Sequence, residues 1–270
     1  PGDQGEVARE VAEALGFPQG VQVRLRAGDQ PMNGFALGAG GRAKGRAGGG
    51  ETGRCWAASA GTSGVLYRVD DRMEADRSGV SNRFAHIGHA PDSPAIGTLF
   101  CLNGAGRAYA WLRSTWFPGA GYGELNELAA SAPAGCDGVR FHPFGNGAER
   151  MFGNRVLGAG WRGLDFNRHG QAHMVRSVLE GIAFAFAAGM ERLDRDLAPL
   201  PGIRAPHAGL FRSKLFTVSL SSLTGLPVEI VRADGAWGAA LGAAGAESVA
   251  EAAAESGSPA ESYGPGARIA

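Results

Sequence analysis

The sequence predicts an α/β fold, on three observations. Its closing third alternates strand-like and helical runs, PGIRA, LFRSKLFTVSLSSLTG, LPVEIV and GAWGAALGAAG in that order, the rhythm of neighbouring strands joined by crossing helices. Over 171–193, Met174, Val175, Val178, Leu179, Ile182, Phe186, Met190 and Leu193 fall on one face of a 3.6-residue period, so a long helix presents an apolar stripe to a core. Upstream, CWAASA and VLYRV suit a pleated surface and flank Gly61-Thr62-Ser63-Gly64, which predicts a hairpin with a tight polar turn. With 270 residues the chain can bury a substantial core, and one domain is the simplest organisation.

From the start of the chain, Val7, Val11, Ala12 and Leu15 share helical spacing before Gly16 and Pro18, so 6–15 are expected to form a short surface helix. Val21, Val23 and Leu25 alternate with Gln22, Arg24 and Arg26, the period of a half-buried strand, which ends at the turn Gly28-Asp29-Gln30-Pro31. Residues 38–53, GAGGRAKGRAGGGETG, are a Gly-rich basic tract with nothing to pack and read as a flexible insertion. The tract contains a GxGxxG at Gly48, Gly50 and Gly53. However, it leads into a strand instead of opening a helix and lacks the GK[ST] ending of a phosphate loop.

Beyond the hairpin, AIGTLFCLN reads as a buried strand, and Gly104-Ala105-Gly106 introduces the helical AYAWLRSTWF. His86 and His89 in the preceding loop lack paired ligand spacing and suit loop hydrogen bonding better than a metal. The region 121–167 mixes helical ELNELAASA with strand-like VRFHPF. Small residues in the last helix let it lie close against a sheet. From Glu251 the tail, rich in Ala, Glu, Ser, Gly and Pro, is expected to fray.

Lys+Arg of 26 balance Asp+Glu of 26, so no global field attracts nucleic acid or an anionic membrane, and small molecules or other proteins are the expected partners. Cys55, Cys101 and Cys136 lie far apart without CxxC, which excludes a sequence-legible zinc site or disulfide framework and suits a reducing cytoplasm. No run approaches the ~18 consecutive apolar residues of a membrane span, and the first residues lack the basic and apolar regions of an export signal.

Phosphoryl transfer to a hydroxyl needs a carboxylate to accept the hydroxyl proton, and Asp29, at a strand end beside glycine, has that character. An Asp ahead of a Pro-containing first turn is equally a helix cap, and spacing alone leaves both readings open. The Gly61–Gly64 turn offers backbone N–H groups and two hydroxyls in a compact concavity that suits a phosphate chain. On these residues alone an ordinary hairpin turn is the favoured reading.

Six stretches occur in a recognisable order: GDQP (28–31), AGTSG (60–64), GAGRAYAWLR (104–113), PFGNGAERMFGN (143–154), LEGIAFAF (179–186), and TGLPVEIV followed by GAALGAAG. Together they resemble the carboxyl-terminal half of FGGY carbohydrate kinases, the xylulokinase-like members in particular. The resemblance implies an actin-like ATPase fold of ribonuclease H-like domains. In it, 1–250 would be the carboxyl-terminal domain with a short lead-in, and sugar and ATP would bind against an amino-terminal domain. Nothing here matches that domain's DxGTxxxK-like segment, so a separately encoded amino-terminal kinase domain is an expected partner.

By the same resemblance Asp29 is the catalytic base and Gln30 hydrogen-bonds sugar hydroxyls. Gly61, Thr62, Ser63 and Gly64 form a phosphate hairpin, and Gly106 lets nucleotide approach closely. Ala208, Gly209 and Ser213 are candidates for the adenine wall, Pro206 standing where a glycine is expected. ATP and Mg2+ are the implied cofactors and a ketopentose such as D-xylulose the implied substrate. Another sugar or polyol, or a non-catalytic nucleotide-binding remnant, are the alternatives.

Overall fold

The computed structural model describes residues 2–25, 27–40, 55–194, 197–244 and 260–267. Strand β1 (Gly2–Glu6) pairs antiparallel with β2 (Gln22–Leu25), and helix α1 (Arg9–Leu15) connects them. The alternation at 21–26 does give a strand. Among the described residues β1 is its one sheet partner, and Val23 on the expected buried face is 44% exposed. Helix α2 (Asp29–Ala36) follows at once. Gly48, Gly50 and Gly53, and with them most of the Gly-rich tract, lie outside the described residues.

The hairpin of β3 (Trp56–Ala60) and β4 (Gly64–Asp70) forms as expected. It seeds a seven-stranded mixed sheet with β5 (Asn82–Ala85), β6 (Ile96–Leu102), β9 (Ile203–Pro206), β10 (Val228–Val231) and β11 (Glu261–Tyr263). Strand order is β11-β10-β9-β3-β4-β6-β5. Strands β3, β9 and β10 are parallel, and the remaining pairings are antiparallel. Strand β11 corrects part of the frayed-tail expectation: the Ala260 N–H donates to the Ile230 carbonyl at 2.7 Å, and the Ser221 hydroxyl to the Tyr263 carbonyl at 3.0 Å.

The anticipated long helix is α5 (Gln171–Asp194). Val175, Val178, Leu179, Ile182 and Phe186 are fully buried in the main core, with Leu66, Phe100 and Phe216 of the sheet and of α6 (Lys214–Thr224). The apolar run before α6 splits, because Gly209–Arg212 turn as a 3-10 helix and Ser213 then caps α6. Helices α3 (Ala105–Trp116) and α4 (Tyr122–Ala130) and the hairpin of β7 (Arg140–Glu149) and β8 (Arg155–Arg162) complete this side.

A smaller core of Ala36, Leu37, Ala57, Tyr67 and Val231 lies beneath α2. Against α2 packs α7 (Gly235–Ala244), so closely that a methyl group at Gly238 would overlap the Met32 carbonyl. In that core the Tyr67 hydroxyl meets His86 Nδ1 at 2.7 Å, and the Ala95 N–H donates to His89 Nδ1, so both histidines serve as loop hydrogen-bonders.

Burial pushes His86 down to about 4, below its unfolded value of about 6.5. Between those values the unfolded chain takes up a proton that the native chain refuses. Stability contributed here is therefore present above pH ~6.5 and lost as pH falls toward 4. A series of thermal melts from pH 7 to 5 should show a decline that is flatter in His86→Gln. Parallel curves for the two proteins would exclude His86 as its source.

Candidate active site

The strand order brings four loops to one edge of the sheet. Strands β3, β9 and β10 run parallel and end at Ala60, Pro206 and Val231, while β6, two antiparallel steps from β3, ends at Leu102 on the same edge. In open α/β sheets ligands collect outside the carboxyl ends of parallel strands. The loops that leave this edge are 61–63, 103–104, 207–209 and 232–234.

Glycines let these loops touch through their backbones. A methyl group at Gly106 would overlap the Gly61 carbonyl oxygen, and one at Gly209 would overlap the Ala60 carbonyl. Gly209 also has φ of 56°, a left-handed conformation that costs other residues about 1–2 kcal/mol. The Arg107 N–H donates to the Thr62 carbonyl at 3.0 Å, fastening the hairpin tip to the first turn of α3. The amide groups of that turn leave a partial positive charge near the hairpin.

Asp29 stands at the start of α2, not at a strand end. Gly28 occupies the cap position with no side-chain cap bond, so Asp29 is no helix cap. Its exposed carboxylate accepts from the Gln30 side-chain amide at 3.2 Å, and the Gln30 carbonyl accepts from the Ser59 hydroxyl at 3.1 Å. Ser59, on β3 directly below the hairpin tip, thereby orients Gln30 toward Asp29, a link with no signal in the sequence. On the far side Gly235 opens α7 beside the Asp29 carbonyl.

The remaining candidates divide. Gly61 and Thr62 are exposed at the tip. Ser63 is half-buried, leaving Thr62 as the exposed hydroxyl of this turn; burial pushes the Cys101 thiol up. Gly64 is buried beneath the Phe186 ring, where a side chain would not fit. Ala208 and Gly209 are exposed at the site.

Ser213 is corrected: it is 3% exposed, and its hydroxyl accepts from the Phe216 N–H at 3.4 Å, so it serves α6 instead of the surface. Pro206 is accommodated as the last residue of β9, where its carbonyl accepts the Ala208 N–H at 2.7 Å. Its missing donor falls where the strand ends.

Comparison with known proteins bears on the family and the fold. The model of the carboxyl-terminal domain of the FGGY family of carbohydrate kinases matches residues 56–250; Asp29 and Gln30 precede that stretch. A xylulose kinase of Staphylococcus epidermidis is 29% identical over 182 residues, covering 67% of this chain and 33% of its own length. The chain therefore spans about a third of that curated relative.

Among solved structures, the ligand-bound xylulose kinase of Lactobacillus acidophilus superposes with a TM-score of 0.76 at 20% identity, covering 95% of this chain and 50% of the other. A gluconate kinase of the same organism gives 0.76 at 18% identity, over 97% and 51%. At these identities the structural likeness speaks for the actin-like fold alone. The match over 56–250 carries the assignment: the chain belongs to the FGGY family of carbohydrate kinases and comprises its carboxyl-terminal domain.

Proposed function

We propose that this chain supplies the nucleotide-facing half of an ATP-dependent sugar kinase of xylulokinase type, which phosphorylates a terminal hydroxyl of a ketopentose such as D-xylulose. The observation that carries the proposal is the convergence at one sheet edge of an exposed carboxylate, a polar hairpin tip and a helix amino terminus. Phosphoryl transfer asks mainly for positioning and charge neutralisation, and these groups supply both. Asp29 accepts the sugar hydroxyl proton, Gln30 holds Asp29 in place, the Thr62 turn and the first turn of α3 receive phosphates, and Ala208 and Gly209 border the base.

Mg2+ would arrive on the nucleotide. Mg2+ is bound chiefly by oxygens, and the phosphates beside the Thr62 turn would supply them. When bound, the ion neutralises charge on the transferring group.

The test joins this chain to an FGGY amino-terminal half and assays ATP-dependent phosphorylation of D-xylulose, gluconate and glycerol. D-xylulose is expected to give the highest kcat/KM. A higher value for either competitor would overturn the sugar assignment. Nucleotide binding without turnover on any acceptor would favour a non-catalytic module.

A further inference from the structure

Among the described residues, one fully buried carboxylate has no use in the proposed chemistry. Glu149, the last residue of β7, is 0% exposed, and no arginine or lysine neutralises it by an ion pair among the described residues. Burying an unpaired carboxylate is costly unless it satisfies donors that would otherwise be stranded. Its oxygens accept the Asn103 backbone N–H at 3.1 and 3.4 Å. Burial pushes the carboxyl up, partly opposed by that N–H.

Asn103 is the residue through which the chain leaves β6 for α3. Strand β7 holds this turn at three further points. The Asn103 side-chain amide donates to the Ala148 carbonyl at 2.6 Å, the Asn103 carbonyl accepts from the Asn146 amide at 2.8 Å, and Gly104 lies so close to the Pro143 carbonyl that a methyl group would overlap it. The β7 ladder shifts register between Phe144 and Ala148, and this bulge turns Asn146, Ala148 and Glu149 toward the turn. Two residues further on, Gly106 meets Gly61, and Arg107 fastens Thr62.

We infer that Glu149 is a positioning residue for the nucleotide: through Asn103 it fixes where α3 begins, and through Gly106 and Arg107 it fixes the hairpin tip against which the phosphates lie. The inference rests on the functional reading above. It deepens that reading by assigning β7, through its hold on the 103–104 loop, to ATP and not to the sugar. The sugar-facing pair Asp29–Gln30 is tied instead to Ser59 on β3.

The assembled kinase separates the two roles. Glu149→Ala strands the Asn103 N–H and should raise KM for ATP about tenfold or more while KM for sugar stays within about twofold. Glu149→Gln keeps an acceptor and should return KM for ATP to within about threefold of the parent. Because the Ala variant can fail to fold, Asn146→Ala is the second probe. Asn146 is exposed and grips the same turn, and its loss should raise KM for ATP about threefold, again without moving the sugar.

Equal shifts in both KM values, or no shift in folded Glu149→Ala, would overturn the inference. So would an unchanged KM for ATP in Asn146→Ala. A parent enzyme without ATP-dependent turnover would overturn the functional reading first, before any variant is made.

Discussion

Replacing Asp29 with Asn in the assembled kinase is expected to lower kcat by about 10²-fold or more while leaving KM for ATP near its parent value. That loss corresponds to about 2.7 kcal/mol of transition-state stabilisation. Two structural facts make the experiment clean. Asp29 is exposed at the first position of α2, so the substitution removes only a favourable first-turn charge, about 0.3–1 kcal/mol of stability. The Gln30 amide bonds one carboxylate oxygen, and the Asn side-chain oxygen can accept the same bond, so geometry is kept while basicity is lost. Unchanged kcat in the assembled enzyme would remove Asp29 from the mechanism.

Gly106→Ala is expected to lower kcat/KM for ATP by about 10- to 10²-fold, because the added methyl group overlaps the Gly61 carbonyl oxygen. Neither side of that contact yields easily. The hairpin belongs to two central strands, and α3 is tied to the Asn103 turn behind it. Relief demands that helix and hairpin separate by roughly 1 Å, a displacement of the size that misplaces reacting groups. The same overpacking should cost about 1–3 kcal/mol in a thermal or denaturant melt. A folded variant with parent-like KM for ATP would mean that the phosphates lie elsewhere.

The sequence made legible those elements whose own residues carry a period. The stripe from Met174 to Leu193 and the alternation around Gly61–Gly64 each specify a face, and both form where expected. Strand β1 was missed because GDQGE holds no apolar residue, and β11 because its pairing rests on β10 and on Ser221, far away in the chain. Asp29 and Thr62 were singled out through motif order, and their roles remain proposals.

The sequence did not single out Ser59 and Glu149, for a physical reason. Ser59 matters through a bond to a residue 29 positions earlier and Glu149 through one 46 positions earlier, and neither contact leaves a local pattern. Ser213 misled for the converse reason. A serine ahead of an apolar run is equally a cap, and here the cap is what forms.

The pairing of Trp56 with Ile203 at the middle of the sheet has a consequence for the order in which the molecule is made. Everything from the hairpin to the long helix must leave the ribosome before β9 exists. Until then β3 can pair only with β4, and its other edge is an unclaimed row of amides and carbonyls beside apolar Trp56 and Ala58. Contacts so distant in sequence are slow to close, and exposed edges of this kind invite wrong partners. Strand β9, four residues long, therefore closes the centre of the sheet only after β3 to β8 have been made.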